Sequence, residues 1–160
     1  MNDTVQQAAH RLVALLQEKG LSLSAAESCT GGWFAKTVVD VPGASAVFAG
    51  GVVSYVNEVK ERVLGVPGDL LARYTAVSAP VARAMAEGVR RLMGTDLAVS
   101  VTGLAGPGGG TAEIPVGGVY LGIGGLGETE TVTLDLPGDR TAVRAGAVLR
   151  MLEELIKRLT

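Results

Sequence analysis

Four short segments hold the residues whose types and spacing could do chemistry. AESCTGG, residues 26–32, places Ser28, Cys29 and Thr30 between small apolar residues and the glycines Gly31 and Gly32. A strand-to-helix turn of this kind lifts hydroxyls to the strand end and leaves backbone N–H groups free to face an anion. Ser28 reads either as a helix cap or as a nucleophile, and the G-x-S-x-G pattern of hydrolase elbows is absent. Cys29 is a second possible nucleophile or a small buried hydrophobe. SYVNEVK, residues 54–60, brings Lys60 one helical turn beyond Tyr55 and Asn57. A lysine acts as a base only when burial or a nearby cation lowers its pKa from about 10.4. Otherwise Lys60 is one more solvated charge beside Glu58, Glu61 and Arg62.

VTGLAGPGGG, residues 101–110, runs from an apolar strand into a glycine-rich loop. Backbone around Gly106 and Gly108 can approach a phosphate or ribose, and Thr102 at the strand end can donate to a carbonyl or ligand. The alternative is a long loop that holds nothing. No Walker A lysine follows, and Pro115 with a further strand excludes the strand–G-x-G-x-x-G–helix context. In PGDR, residues 137–140, Asp139 caps a helix and Arg140 offers a fork of donors beside its start, or is an exposed first-turn arginine.

Composition narrows these options. The chain of 160 residues contains one histidine and one cysteine. A zinc site draws on about three or four His, Cys or carboxylate ligands, and a Ser-His-Asp triad needs a histidine in the site. The only one, His10, falls on an amphipathic N-terminal helix. Any serine chemistry must therefore take its base from Lys, a carboxylate or Tyr. The net charge of −2 gives no basic footprint for nucleic acid. Mean hydropathy is positive, yet no uncharged apolar run reaches the roughly 18 residues of a membrane span, and MNDTVQQAAHRL does not read as a signal peptide. A single cysteine excludes an internal disulfide and fits the reducing cytoplasm.

The elements that must position these residues follow from periodicity and punctuation. Residues 4–19 form a helix stopped by Gly20, 21–27 an alternating strand, 33–40 a short helix and 46–55 a strand, with Gly50-Gly51 marking a bulge or close approach. Residues 57–65 and the region around 69–74 read as short helices. Ser78 caps a helix that buries Val81, Ala82, Met85, Ala86, Val89, Leu92 and Met93 and ends at Gly94. LAVSVTG (97–103) reads as a strand buried on both faces. Residues 119–125 and 129–136 form a hairpin, and a last helix presents Val148, Leu152, Leu155, Ile156 and Leu159. Without linker or repeat, residues 1–160 read as one α/β domain, a mixed sheet with helices on both faces.

AESCTGG, SYVNEVK, VSAPVA (77–82), TGLAGPGGG (102–110), PVGGVY (115–120) and PGDR occur in that order. With this set, over roughly residues 5 to 159, the chain resembles the CinA C-terminal domain family, whose stand-alone members are nicotinamide-nucleotide amidohydrolases. The resemblance implies a three-layer α/β/α fold, no metal or cofactor, a cytoplasmic homo-oligomer (a dimer in first place), and a pyridine nucleotide as small-molecule partner. It implies deamidation of nicotinamide mononucleotide, with Ser28 as nucleophile and Lys60 as base. Tyr55, Asn57, Thr102 and Arg140 would line the site. One departure is Ile114, where family members often carry a lysine.

The expected route is an acyl-enzyme. Lys60 takes the Ser28 proton, N–H groups at Thr30, Gly31 and Gly32 stabilise the oxyanion, and Tyr55 and Asn57 orient Lys60, with Tyr55 able to share the base role. Arg140 with the 106–110 loop would hold the 5′-phosphate. The rival readings are a non-catalytic nucleotide-binding or regulatory module, and a hydrolase for another small amide or ester.

Overall fold

The computed structural model describes residues 3–160; Met1 and Asn2, with which the expected leader-free start begins, lie outside them. Five strands, β1 (Leu23–Glu27), β2 (Phe48–Val53), β3 (Leu97–Gly103), β4 (Gly118–Gly124) and β5 (Glu130–Asp135), form one sheet in the order β2-β1-β3-β4-β5. β1 pairs in parallel with β2 and β3, while β3-β4 and β4-β5 are antiparallel. The sheet is mixed, as the hairpin pattern requires. Helices α1 (Asp3–Lys19), α2 (Trp33–Val39) and α6 (Arg140–Leu159) cover one face. Helices α3 (Asn57–Leu64), α4 (Gly68–Tyr74) and α5 (Ala79–Met93) cover the other. No described helix is long and apolar enough to cross a membrane.

The local signals act as their chemistry dictates. Ser78 accepts from the Val81 N–H at the start of α5, and Asp139 accepts from the Ala142 N–H at the start of α6. Gly94 closes α5 in the left-handed conformation. The extra residue Ala49 shifts the β1–β2 register between Phe48 and Gly50, which is the expected bulge. Two expectations fail. β1 does not alternate; all five residues are buried because helices cover both faces of a central strand, and Ser24 is satisfied by the Thr95 hydroxyl at 2.7 Å. Leu92, expected in the buried stripe of α5, is 53% exposed, because the apolar arc turns past the edge of the sheet before the helix ends.

What matters for the site is how closely α3 approaches the sheet. Gly88 on α5 lies so near α3 that a Cβ there would overlap the Leu64 carbonyl oxygen. A glycine is required for that approach. α3 then buries only Lys60 and Leu64, one turn apart.

Candidate active site

The parallel strands β1, β2 and β3 end at one edge of the sheet. Open α/β sheets collect ligands at the carboxyl ends of such strands. β1 delivers Ser28, β2 leads through Ser54 and Tyr55 into α3, and β3 leads into the glycine-rich loop. β5 runs parallel to β3 and delivers the start of α6 to the same edge.

The turn after β1 is held from several sides. The Ser28 N–H donates to Val101 O (3.0 Å), extending the β1–β3 ladder by one residue. Glu27, 2% exposed, accepts from Thr30 Oγ1 (2.6 Å) and from the backbone N–H groups of Phe34 (2.8 Å) and Ala35 (3.0 Å). Its carboxylate thus satisfies the otherwise orphaned first turn of α2. From α6, Arg144 Nε donates to Cys29 O (2.9 Å) and Nη2 to Thr30 O (3.1 Å).

Lys60 reaches this turn from α3. Its side chain is 1% exposed, and Nζ lies 3.0 Å from Ser28 Oγ, 2.8 Å from Ser54 O and 3.2 Å from Tyr55 O. No carboxylate forms a salt bridge with it among the described residues. Burial holds the amine below the usual lysine range, opposed in part by Cys29. The three contacts have a definite consequence. A neutral amine has two N–H bonds and one lone pair; the Ser54 and Tyr55 carbonyls can only accept, so both hydrogens go to them. Protonated, Nζ donates to Ser28 Oγ as well; once neutral, its lone pair is left facing the Ser28 hydroxyl. The arrangement can accept a proton from Ser28, which is what a serine nucleophile requires. Burial pushes the neighbouring Cys29 thiol up to about 11, so it stays protonated at neutral pH.

A pocket of about 300 Å³ opens over this pair, lined among others by Ser28, Lys60, Tyr55, Thr102, Gly106 and Arg140. Its size sits at the lower end of small-molecule sites. Arg140 spans its mouth, donating from Nη1 to Gly106 O (2.8 Å) and from Nη2 to the Tyr55 hydroxyl (3.2 Å). Both partners are neutral, so the arginine charge has no carboxylate partner among the described residues. Thr102 Oγ1 donates to Ala76 O (2.7 Å), tying the segment before α5 to the floor. A larger groove of about 590 Å³ beside Leu70, Arg83 and Arg91 contains no comparable nucleophile and base.

The CinA C-terminal domain model matches residues 5–159. The chain belongs to the CinA C-terminal domain family. CinA-like proteins from Parasynechococcus marenigrum and Geobacter sulfurreducens are 52% and 51% identical to it over 92% and 91% of its length. The chain spans only 36% and 35% of those relatives. The crystal structure of the competence/damage inducible protein CihA from Agrobacterium tumefaciens matches with a TM-score of 0.96 at 37% identity, covering 100% of this chain and 98% of that one. A CinA superfamily protein from Klebsiella pneumoniae matches with a TM-score of 0.94 at 34% identity, covering 99% and 98%.

Within this CinA domain, Ser28, Lys60, Tyr55, Thr102, Gly106, Gly108 and Arg140 share one pocket. Asn57 is not among its lining residues; it is exposed as the first residue of α3 and makes no contact with Lys60 Nζ. Tyr55 meets Lys60 through its carbonyl, while its phenol turns to Arg140. Thr30, Gly31 and Gly32 border a separate groove with Trp33, Lys36 and Arg144, and the Gly31 N–H donates to Ser28 O at 3.1 Å. The loop from 103 to 118 is not loose: Leu104 and Gly117–Gly118 exchange backbone bonds at its base, and Thr111 and Ile114 close its tip. Sequence reasoning missed Ser54, whose carbonyl holds Lys60, and the buried Glu27. It also missed Arg144. A glutamate ending a strand three residues before a threonine was the available signal for Glu27; nothing local marks the other two.

Proposed function

We propose that this CinA domain hydrolyses the carboxamide of nicotinamide mononucleotide to nicotinate mononucleotide and ammonia, with Ser28 as nucleophile and Lys60 as base. The observation that carries the chemistry is the buried Lys60 amine 3.0 Å from Ser28 Oγ, held in place by the Ser54 and Tyr55 carbonyls. The choice of substrate rests on the motif resemblance and on Arg140, a cation at the mouth of the pocket with no carboxylate partner among the described residues.

Ser28 Oγ attacks the carboxamide carbon as its proton passes to Lys60 Nζ. The tetrahedral intermediate collapses with cleavage of the C–N bond, and Lys60 returns the proton to the departing ammonia. Water then attacks the acyl-Ser28 ester, giving its proton to Lys60, which passes it to Ser28 as nicotinate mononucleotide leaves. Tyr55 fixes Lys60 through its carbonyl and steadies Arg140 through its phenol. Arg140 and the Gly106–Gly108 backbone receive the 5′-phosphate, whose binding energy positions a poorly reactive amide. The same reading places the protein in the cytoplasm as a homo-oligomer, a dimer in first place; light scattering on the purified protein reads that state.

An ammonia-release screen across nicotinamide, its riboside, its mononucleotide and NAD tests the reading. Turnover is expected on the mononucleotide, with the forms lacking phosphate much slower. Tight binding of the mononucleotide with no ammonia released would instead favour a non-catalytic module, and release from another member alone would move the substrate.

A further inference from the structure

The backbone is strained at one point beside the Ser28 pocket. Thr75, between α4 and α5, has φ 67° and ψ 168°. Among the described residues it is the one non-glycine with a positive φ. That region is nearly reserved for glycine, and a β-branched residue is costly there. The Thr75 side chain is exposed, so its own packing does not offset the strain. Such a conformation persists only where its surroundings over-determine it.

The surroundings do so here. Thr75 N–H donates to Leu71 O (3.1 Å) in α4. Ser78 Oγ, the cap of α5, donates to Thr75 O (3.0 Å). Thr102 Oγ1, on β3, donates to Ala76 O (2.7 Å). The hold from β3 is the one that ties this segment to the nucleophile, because Val101, next to Thr102, accepts from the Ser28 N–H. The segment so held faces the site. Ala76 and Val77 are half-buried and line the pocket of Ser28 and Lys60, where they join Leu104 and Ala105 as an apolar surface. A threonine hydroxyl has a single hydrogen. Thr102, 1% exposed, commits it to Ala76 O, so none is left for a substrate carbonyl.

We propose that Thr102 is a positioning residue rather than a ligand donor: it holds the strained Thr75 backbone so that Ala76 and Val77 form the apolar wall against which the ring of an aromatic amide lies. This rests on the reading of Ser28 as the nucleophile and of a pyridine nucleotide as substrate. Without the Thr102 hydroxyl, Thr75 is free to relax and the wall withdraws. With glycine at 75 the same backbone angles carry no strain, and the wall stays in place.

A double-mutant cycle on T102V and T75G tests this, read as kcat/KM for ammonia release from nicotinamide mononucleotide. T102V keeps the side-chain shape and loses the hydrogen bond. Its kcat/KM is expected to fall at least about tenfold in the wild-type background and less than about threefold in the T75G background. T102S, which keeps the hydroxyl, should recover most of the loss. In crystals of T102V the Thr75 φ should turn negative, with Ala76 and Val77 displaced from the pocket. Equal losses in the two backgrounds, as a direct substrate donor would give, overturn the proposal. So do T102S as slow as T102V, or a Thr75 φ that stays positive in T102V. If T102V does not fold, T75G/T102V must, and its failure to fold also overturns the proposal. If wild type releases no ammonia, the substrate reading fails by itself, and the Thr75 angle in T102V still judges the wall.

Discussion

Lys60 Nζ and Ser28 Oγ lie 3.0 Å apart across 32 residues of sequence, and both are referenced to the same residue, Glu27. Ser28 follows Glu27 directly at the end of β1. Ser54, whose carbonyl holds Lys60, donates its N–H to Glu27 O at 2.7 Å. Nucleophile and base are thus set by one rung of the β1–β2 ladder rather than by two independent loops. That coupling keeps a long side chain at hydrogen-bond distance without a carboxylate to anchor it.

The pH dependence follows from the buried amine. Activity should rise with pH through the lowered Lys60 pKa and level off below the ordinary value of 10.5. Stability carries the same signature. Between the lowered folded pKa and 10.5 the unfolded chain binds the extra proton, so the Lys60 contribution to stability should increase with pH in that window, while Cys29, raised to about 11, takes stability away above its ordinary 9.0. Urea midpoints measured across it should therefore climb for wild type relative to K60M, which keeps Cys29; a wild-type midpoint that falls relative to K60M would contradict the assignment.

Arg140 should discriminate by phosphate. R140A is expected to lower kcat/KM for nicotinamide mononucleotide by about 10- to 100-fold, the loss of a charge-assisted contact. For the riboside, which has no phosphate, the change should stay within about twofold. Steady-state kinetics on the two substrates checks this, and equal losses on both would assign Arg140 to pocket structure alone.

Glu27 should matter for the fold as well as for the turn. E27Q replaces one of two accepting oxygens with an NH2 that meets a backbone N–H or the Thr30 hydroxyl. A loss of about 2 kcal/mol is expected, which for a chain of this size lowers Tm by about 6 °C. Calorimetry reads the result directly.

Gly88 connects packing to chemistry. In G88A the new methyl meets the Leu64 carbonyl, pushing α3 and its Lys60 outward. The expected cost is about 2 kcal/mol, with kcat reduced at least about tenfold by misplacement of the base. A G88A protein with normal kcat would show that Lys60 does not depend on the seating of α3.

Much of the architecture was legible because its signals are local. The Ser78 and Asp139 caps, the Gly94 stop and the hairpin near Gly127 act within a few residues of themselves. The bulge before Gly50 was legible for the same reason. What could not be read depends on distant partners. Ser24 and Glu27 gave β1 an alternating look, but Thr95 and the start of α2 satisfy both in the interior. Leu92 matched the helical stripe, yet only the position of the sheet edge decides where a stripe ceases to be covered. Within the site, the motifs brought Ser28, Lys60 and Arg140 into view. The hold of Arg144 on Cys29 spans 115 residues, and no spacing announces it. Asn57 shares a motif with Lys60 but not a direction, since it opens α3 on the solvent side.

The most direct test of the Ser28–Lys60 account is ammonia release from nicotinamide mononucleotide by wild type, S28A and K60M in parallel, with hydroxylamine present to intercept an acyl-enzyme as the hydroxamate. The account predicts ammonia and hydroxamate from wild type, and in both variants a fall in kcat of about 10⁴-fold or more with Tm within a few degrees of wild type. Near-wild-type release from folded S28A or K60M would contradict it.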